Sequence, residues 1–260
     1  MLVAITRDVS PSIANCELTF VERKPIDHSL ASRQLENYRA ALGRCGVQVR
    51  RLAADGRHPD SCFVEDTAIV VDEVAIMASM GAPSRRGETE AIEAELSTHR
   101  EIARVTLPAT LDGGDVLRVG RRMLVGRSSR TNEAGIRQLA SILEPLQYKV
   151  IPVRTSRGLH LKSACTAIDD ETLLLNQDWV DIRDLDGFEL IFTPGDEASA
   201  ANILRVEQTL FVQAGFPKTM QRLQEIHSIV EAIDTSELQK AEGALTCLSI
   251  IFKSGVSGGE

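Results

Sequence analysis

The sequence has no apolar run that approaches the roughly 20 residues needed to span a bilayer. Its first seven residues, Met1 to Arg7, have the pattern of a β-strand and lack the basic start and small-residue cleavage site of a signal peptide. Cationic residues are also in deficit, because 37 Asp and Glu outnumber 29 Lys and Arg and leave a net charge of −8. An acidic surface repels nucleic acids and anionic membranes, so we expect neither as a partner, whereas a cationic small molecule suits that field.

Paired cysteines are absent as well. The chain has five cysteines, an odd number, without a Cys-x-x-Cys pair and without the spacing of a zinc site. Free thiols in a reducing compartment are the simpler interpretation, so we expect a cytoplasmic protein. The histidines show no metal-ligand spacing either, and we expect no bound metal.

One pattern recurs with a period of nearly fifty residues: an apolar strand, a short turn, a second apolar strand and usually a helix. The last unit ends without a second strand, which the N-terminal strand could supply. Self-similarity at this period is typical of radial or solenoid repeats, and five units that share the chain ends predict a closed ring of ββαβ type. We expect a single domain over residues 1–260, in which Ser254 to Glu260 form a flexible tail. The first strands begin near Phe63, Leu111, His160, Ala200 and Ala244.

The segments between units have the apolar spacing of amphipathic helices. Pro217 suits the first position of its helix, where no N–H is required. Three apolar faces are predicted: Leu35, Tyr38 and Leu42; Ile136, Leu139 and Leu143; and Met220, Leu223, Ile226 and Val230.

Ionisable residues recur in register at the start of these units. Asp66 and Asp112 are 46 residues apart, Asp112 and His160 are 48 apart, and Cys247 follows His160 after 87 residues, about two periods. In a closed ring these positions converge on the axis. A purely structural repeat has no need of ionisable residues there, so the register predicts a functional site.

Each of these residues alone also has a structural explanation. A cysteine in an apolar strand, such as Cys247, is usually a small buried hydrophobe, and a lone histidine is more often a surface or satisfied core residue than a catalyst. Asp112 could merely satisfy a bulge at Gly113-Gly114, although two glycines also allow a ligand to approach.

Glu65 and Asp66 are harder to explain structurally. They are adjacent carboxylates in an apolar run, and on a strand they would face opposite sides. A buried carboxylate needs a cation or several donors, and a guanidinium supplies both.

Six runs of residues, in one order over almost the whole chain, together resemble dimethylarginine dimethylaminohydrolases. The wider group includes arginine deiminases and amidinotransferases and shares a five-bladed α/β propeller, which agrees with the repeat. The six runs are Pro59 to Asp66, Gly81 to Arg86, Thr110 to Asp115, Arg130 to Asn132, Gly158 to Ser163 and Leu245 to Cys247.

The resemblance implies roles for ten residues. Cys247 is similar to the nucleophile, His160 to the general acid and base, and Asp112 to the carboxylate that orients the histidine. The sequence departs from some relatives at Leu248, where they carry a second cysteine, and over residues 15–29, where relatives place a mobile lid. The implied substrate contacts are Asp66 and Glu65 for the guanidinium, Arg85 and Arg130 for the α-carboxylate, Asp60 and the backbone of Leu18 for the α-amino end, and the backbone of Ala241.

The expected reaction is hydrolysis of a methylated arginine to citrulline and an amine through a thiol adduct on Cys247, without a metal or an organic cofactor. A small-molecule guanidino compound is then the substrate. Arginine deiminase or amidinotransferase activity stays open, as does a non-catalytic propeller that binds a cationic ligand. A homodimer is also left open.

Lys162 bears on the choice of substrate. On the predicted strand it shares a face with His160. Arginine deiminases, which the chain also resembles, have an aspartate at this position that accepts hydrogen bonds from arginine. An aspartate facing a dimethylated nitrogen would lack a donor, so its replacement by Lys162 predicts a preference for N-methylated arginine. We also expect Lys162 to turn away from the substrate cation or to pair with a carboxylate.

Overall fold

The structure is a computed structural model that describes residues 1–254. Of the expected flexible tail, only Ser254 is described, and its N–H donates to the carbonyl of Met1 at 2.8 Å. Residues 255–260 lie outside the described part of the chain. Within residues 1–254, no helix combines the length and the apolar character needed to cross a membrane.

Five three-stranded sheets form the blades of an α/β propeller, which confirms the predicted ring. In every blade the central strand runs antiparallel to the inner strand and parallel to the outer strand. The central strands are almost wholly buried and read as continuous apolar runs, as expected where both faces are covered. In the order inner, central, outer, the blades are β3 (Ala68–Val70), β4 (Val74–Met77) and β5 (Glu101–Arg104); β6 (Val116–Val119), β7 (Arg122–Arg127) and β8 (Lys149–Arg154); β9 (Cys165–Ala167), β10 (Thr172–Leu175) and β11 (Glu189–Phe192); β12 (Leu204–Val206), β13 (Thr209–Gln213) and β14 (Val230–Ile233); and β15 (Ile250–Lys253), β1 (Leu2–Arg7) and β2 (Gln48–Leu52).

Helices make the crossover from the central to the outer strand in four of the blades. In the blade of β9 to β11 a 3₁₀ turn at 182–184 replaces the helix. The helices are α1 (His28–Arg44), α2 (Thr89–Leu96), α3 (Glu133–Leu143), α4 (Leu161–Ala164), α5 (Pro217–Gln224) and α6 (Ser236–Gln239).

The chain ends close the ring in the blade that β1 shares with β15, as the incomplete last unit predicted. Leu2 lies opposite Lys253, and Ile5 lies opposite Ile250. Ile5 is fully buried, in a cluster that joins this blade to β3 and β4 of the next. Closure therefore places hydrophobic core between the first and last units.

Two of the three predicted helical faces are confirmed, and the third is wrong in its length. The predicted core residues of α1 and α3 are buried. α5 begins at Pro217 as predicted but ends at Gln224, so that Ile226 is 53% exposed and Val230 belongs to β14. Val230 has the spacing of a helical face but pairs with Leu210 of β13, so it becomes part of a strand.

The predicted position of the ionisable residues on strands is also wrong. In each unit a helical turn precedes the inner strand, and we call these five segments the axial turns. Local hydrogen bonds favour them over a strand: the hydroxyl of Thr67, for example, donates to the carbonyl of Val64 at 2.7 Å. The axial turns are 64–67, 113–115, 161–164, 195–201 and 246–248.

Ring closure predicts a stability difference between two isoleucines. Ile5→Ala should lower the free energy of unfolding by about 2–5 kcal/mol, because it leaves a cavity between two blades. Ile182→Ala removes the same atoms from a side chain that is 46% exposed. It should change the free energy of unfolding by less than about 0.5 kcal/mol. Urea unfolding followed by circular dichroism measures both. Similar small losses would show that the N-terminal strand does not hold the ring together.

Candidate active site

A narrow cavity, here called the front cavity, opens where the axial turns converge. It is lined by three of the four ionisable residues that recur in register: Asp66, His160 and Cys247. Asp112 is fully buried and touches the cavity only through His160. The remaining wall residues are Glu17, Phe63, Asp60, Arg85, Arg130, Leu159, Ser163, Ala241, Glu242 and Gly243.

His160 is held from behind by Asp112. The imidazole Nε2 lies 3.1 Å from Asp112 Oδ2. The other carboxylate oxygen accepts a hydrogen bond from the N–H of Gly81 at 2.8 Å, and Thr131 Oγ1 accepts from the N–H of Asp112 at 3.1 Å. Asp112 is thus fixed by two distant segments and in turn fixes the plane of the imidazole.

Asp66 faces the opposite nitrogen of the same ring. Asp66 Oδ1 lies 3.6 Å from His160 Nδ1 and accepts a hydrogen bond from the N–H of Gly114 at 3.0 Å. A Cβ atom on Gly114 would lie only 2.6 Å from both Asp66 Oδ1 and His160 Nδ1. Glycine is therefore required at 114 for the carboxylate and the imidazole to meet.

The surrounding carboxylates stabilise His160 as an imidazolium. Burial opposes the charge, but Asp66 and the hydrogen bond with Asp112 outweigh it and raise the pKa of His160 to about 9. Burial likewise opposes ionisation of Asp66, yet His160 and Arg85 hold its pKa below the usual value. At neutral pH the site therefore holds His160 as the imidazolium cation and Asp66 as the carboxylate.

Cys247 is half-buried in the last axial turn. Burial raises the pKa of its thiol well above the usual value, and the nearby carboxylates of Glu65 and Asp66 raise it further. Without a ligand the thiol is therefore protonated at neutral pH. The other cysteines are also unpaired, and Cys16, Cys62 and Cys165 are buried, as expected for structural thiols.

The two arginines implied for the substrate carboxylate have different surroundings. Arg85 is buried, and four of its five N–H groups donate within the described residues, to Asp66 at 2.7 Å, to Glu88 at 2.9 and 3.1 Å, and to the carbonyl of Phe63 at 3.2 Å. Arg130 is half-buried and donates one long bond, of 3.4 Å, to Thr19. Both line the front cavity, and Arg130 has the freer guanidinium.

The residues implied for the α-amino end lie near one another. Asp60 is buried on the cavity wall, accepts from the N–H of Glu17 at 3.0 Å, and has a pKa raised by burial. Ala241 is a buried wall residue. Leu18 is half-buried, follows wall residue Glu17 in the chain, and packs on the core beside α1 without lining the front cavity.

Glu65 and Lys162 face away from the front cavity. They line a larger space of about 330 Å³, here called the rear cavity, together with Gly113, Thr246 and the inner strands. Lys162 Nζ donates to Glu65 Oε1 at 2.5 Å, which confirms the expected pairing with a carboxylate. The prediction that residues 160 and 162 share a strand face is wrong, because Lys162 lies in α4, one turn of helix that begins directly after His160.

Sequence reasoning missed Asp115 and Glu242. Asp115 is fully buried and accepts from the N–H of Leu161 at 2.8 Å and from Ser128 Oγ at 2.5 Å, so it fixes the start of α4; burial raises its pKa to about 6. Its place in Asp112-Gly-Gly-Asp115 was a usable signal.

Glu242 Oε1 accepts hydrogen bonds from the N–H groups of Thr19, at 3.0 Å, of Phe20, and of Val21, at 2.8 Å. It thereby ties the segment after Leu18 to the cavity wall. Apart from its neighbour Ala241, no sequence signal pointed to it.

His160 and the two carboxylates beside it also satisfy the spacing of a cation site. Ligand atoms of Asp66, Asp112 and His160 lie within 4.8 Å of one another. The raised pKa of His160 disfavours a metal, because a ligand nitrogen must first lose its proton. Independence from metals stays a prediction.

Comparisons with known proteins extend over nearly the whole chain. Residues 57–214 match the sequence model of a family described as arginine deiminase. The chain is 38% identical over 248 residues to N(G),N(G)-dimethylarginine dimethylaminohydrolase of Streptomyces coelicolor, with 95% of each sequence covered. It is 35% identical over 228 residues to the protein of the same name from Pseudomonas aeruginosa, which covers 87% of this chain and 90% of that one. A solved structure of the Pseudomonas aeruginosa enzyme, a cysteine-to-serine mutant complexed with citrulline, superposes with a TM-score of 0.92 at 33% identity over 96% of this chain and 98% of that chain.

The electrostatics of the site predict the titration of His160. Its imidazole should titrate near pH 9, as measured by NMR. Asp66→Asn removes the largest interaction that favours the imidazolium, so the pKa of His160 should fall. Asp60→Asn changes a wall carboxylate that is not among the main influences on the pKa of His160, and it should shift that pKa much less. A value near the ordinary 6.5 in the unaltered protein would contradict the stabilised imidazolium.

Proposed function

The chain belongs to the dimethylarginine dimethylaminohydrolase family within the arginine deiminase group and is an amidine hydrolase, and on that premise we propose that it hydrolyses an Nω-methylated arginine to citrulline and an alkylamine. One observation carries the proposal: Asp66, His160 and Cys247 meet in one cavity, with Asp112 behind the imidazole. These four groups supply a cation partner, an acid and base, a nucleophile and an orienting carboxylate. We further propose that residues 1–260 act as one catalytic domain in the cytoplasm; association as a homodimer stays open.

The reaction has two halves with a covalent adduct between them. The thiolate of Cys247 attacks the guanidinium carbon, and His160 gives its proton to the departing amine, which leaves a thiouronium on sulfur. Neutral His160 then takes a proton from water as the water oxygen attacks the same carbon. Collapse of this second adduct breaks the C–S bond, restores the thiolate and releases citrulline as the hydroxyl gives up its proton, which leaves with the amine as an alkylammonium ion. One water is therefore consumed for each amine released.

Substrate binding favours the thiolate that the reaction needs. In the free site Asp66 and Glu65 disfavour ionisation of Cys247. A guanidinium held at Asp66 compensates that negative charge and brings a positive charge next to the sulfur. An opposite charge within about 4–6 Å lowers the pKa of a thiol, so the nucleophile is activated where substrate is bound.

Similarity to two dimethylarginine dimethylaminohydrolases supports a methylated substrate. Lys162 faces the rear cavity, where it is engaged with Glu65. It therefore supplies neither an acceptor nor a positive charge to a guanidinium in the front cavity.

A substrate panel tests the proposed reaction. Asymmetric dimethylarginine or monomethylarginine should give citrulline and the matching alkylamine, with a higher kcat/KM than arginine gives. In Cys247→Ser turnover should fall by about 10³-fold or more, and in a quenched reaction of the unaltered protein mass spectrometry should find the adduct on Cys247.

Other results of the panel identify the alternatives. A preference for unmodified arginine would indicate a deiminase. Product formation only with an added acceptor amine would indicate an amidinotransferase. Binding of methylarginine without turnover would indicate a ligand-binding propeller. Substantial activity in Cys247→Ser would contradict the assigned nucleophile.

The unequal surroundings of the two arginines predict unequal effects of their loss. Arg130→Ala should reduce kcat/KM for methylarginine by about 10–100-fold, the worth of a charge-assisted bond of about 1.5–3 kcal/mol, and should matter little for a guanidine without a carboxylate. Arg85→Ala should reduce both activities and the melting temperature, because it leaves Asp66 and Glu88 buried without their cation. Equal losses on both substrates in Arg130→Ala would assign that residue a structural role.

A further inference from the structure

Neighbouring residues of the axial turns face different cavities. Asp66 lines the front cavity, whereas Glu65 lines the rear cavity. Likewise, Cys247 lines the front cavity, whereas its neighbour Thr246 lines the rear cavity. The layer between the two cavities therefore consists of residues that are adjacent in sequence to the proposed reacting groups. Any displacement in this layer moves those groups.

A closed ring of hydrogen bonds joins this layer. Glu65 accepts from Lys162 Nζ at 2.5 Å on one oxygen and from Thr246 Oγ1 at 2.7 Å on the other. Asn202 Nδ2 donates to Thr246 Oγ1 at 3.0 Å and to the carbonyl oxygen of Lys162 at 2.9 Å. Asn202 Oδ1 accepts from the N–H of Thr246 at 3.2 Å. The ring thus runs from Lys162 through Asn202, Thr246 and Glu65 back to Lys162.

Asn202 follows the axial turn at 195–201, none of whose described residues lines the front cavity. It is buried, with 3% exposure. Its side-chain amide bonds to the main chain of Thr246, in the axial turn at 246–248, and to the main chain of Lys162, in α4. Two segments that are more than eighty residues apart in sequence are thereby held at one separation.

We propose that Thr246 and Asn202 are positioning residues that set the distance between Cys247 and His160, and that the pair of Glu65 and Lys162 closes the ring beneath them. The proposal rests on the proposed function, in which Cys247 and His160 act on one carbon. The sulfur must reach that carbon while the imidazole reaches the departing nitrogen, and misplacement by about 1 Å can cost about 100-fold in rate. Binding of the amino-acid end at Arg130 and Asp60 should not depend on this ring, because the hydrogen bonds of these two residues go to Thr19 and Glu17.

Thr246→Val tests the hydroxyl while it keeps the branched shape. It should lower kcat by about 10–100-fold and change KM for methylarginine by less than about threefold. Thr246→Ser restores the hydroxyl and should recover most of kcat. Asn202→Ala should behave like Thr246→Val, because it removes both the donor and the acceptor that span the two turns.

Asn176→Ala is the matched control. Asn176 is also buried and also ties two main-chain segments, since its amide donates to the carbonyl of Ala198 and accepts from the N–H of Asp178, at 3.0 Å each. Among the described residues its side chain forms no hydrogen bond with either reacting turn, and its main-chain N–H, which donates to the carbonyl of Ala164 in α4 at 2.9 Å, is kept in Asn176→Ala. Its loss should lower the melting temperature about as much as Asn202→Ala and leave kcat nearly unchanged.

The effect of the ion pair between Glu65 and Lys162 can be measured separately, by the pH dependence of the alkylation of Cys247 with iodoacetamide. Lys162→Met leaves the charge of Glu65 uncompensated near the sulfur. The pH at which alkylation is half-maximal should therefore rise, by about one unit for a single nearby charge. Adding Glu65→Gln to Lys162→Met should reverse the shift. A merely structural role would lower stability without this reversal.

Three results would overturn the proposal. The first is a kcat for Thr246→Val within twofold of the unaltered protein. The second is an equal loss of kcat in Asn202→Ala and Asn176→Ala. The third is failure of Thr246→Ser to recover activity. Failure of the proposed function is distinct, because in that case the unaltered protein itself releases no citrulline from methylarginine.

Discussion

The arrangement of the site depends on a buried chain of alternating charges. Along it lie Asp112, His160, Asp66, Arg85 and Glu88, each within hydrogen-bonding or ion-pair distance of the next. An isolated ion in this position would cost several kcal/mol, so every member needs its neighbours. Three carboxylates and two cations sum to −1, and this excess charge favours a cationic ligand beside Asp66.

The fold supplies this chain from segments that are far apart in sequence. Asp66, Asp112 and His160 come from three different units, and two glycines allow them to approach. A side chain at Gly114 would collide with Asp66 and His160, and one at Gly81 would lie 2.4 Å from the carbonyl oxygen of Arg130. Closing the ring through β1 and β15 brings Cys247 to the same axis. The proposed catalytic groups thus come from four of the five repeating units.

The larger of the two cavities is not the candidate active site. The rear cavity is the larger, but Glu65 and Lys162, its charged residues on the axial turns, pair with each other. The front cavity is narrow and contains a thiol, an imidazolium and a carboxylate that can accept from a ligand. Because reaction requires converging groups and not volume, the narrow cavity is the active-site candidate.

The ring and the register of the candidate site could be predicted because both depend on local patterns. Apolar runs separated by short turns marked the strands, and the last unit lacked a partner strand that the N-terminal strand could supply. Equal spacing put Asp66, Asp112, His160 and Cys247 on one axis, although it placed them on strands and not in helical turns. Local hydrogen bonds such as that from Thr67 to Val64 favour these turns, but others, such as that from Leu161 to Asp115, join residues that no local window contains.

The sequence by itself determined which ionisable residues recur at the start of the repeating units, since this depends only on their spacing. Only the tertiary structure decided which of two adjacent residues reaches each cavity, as with Glu65 and Asp66. It also decided that His160 is protonated at neutral pH, because its pKa follows from carboxylates contributed by other blades. Charge, burial and hydrogen bonding between distant segments come into being only when the ring closes, and a linear pattern does not contain them.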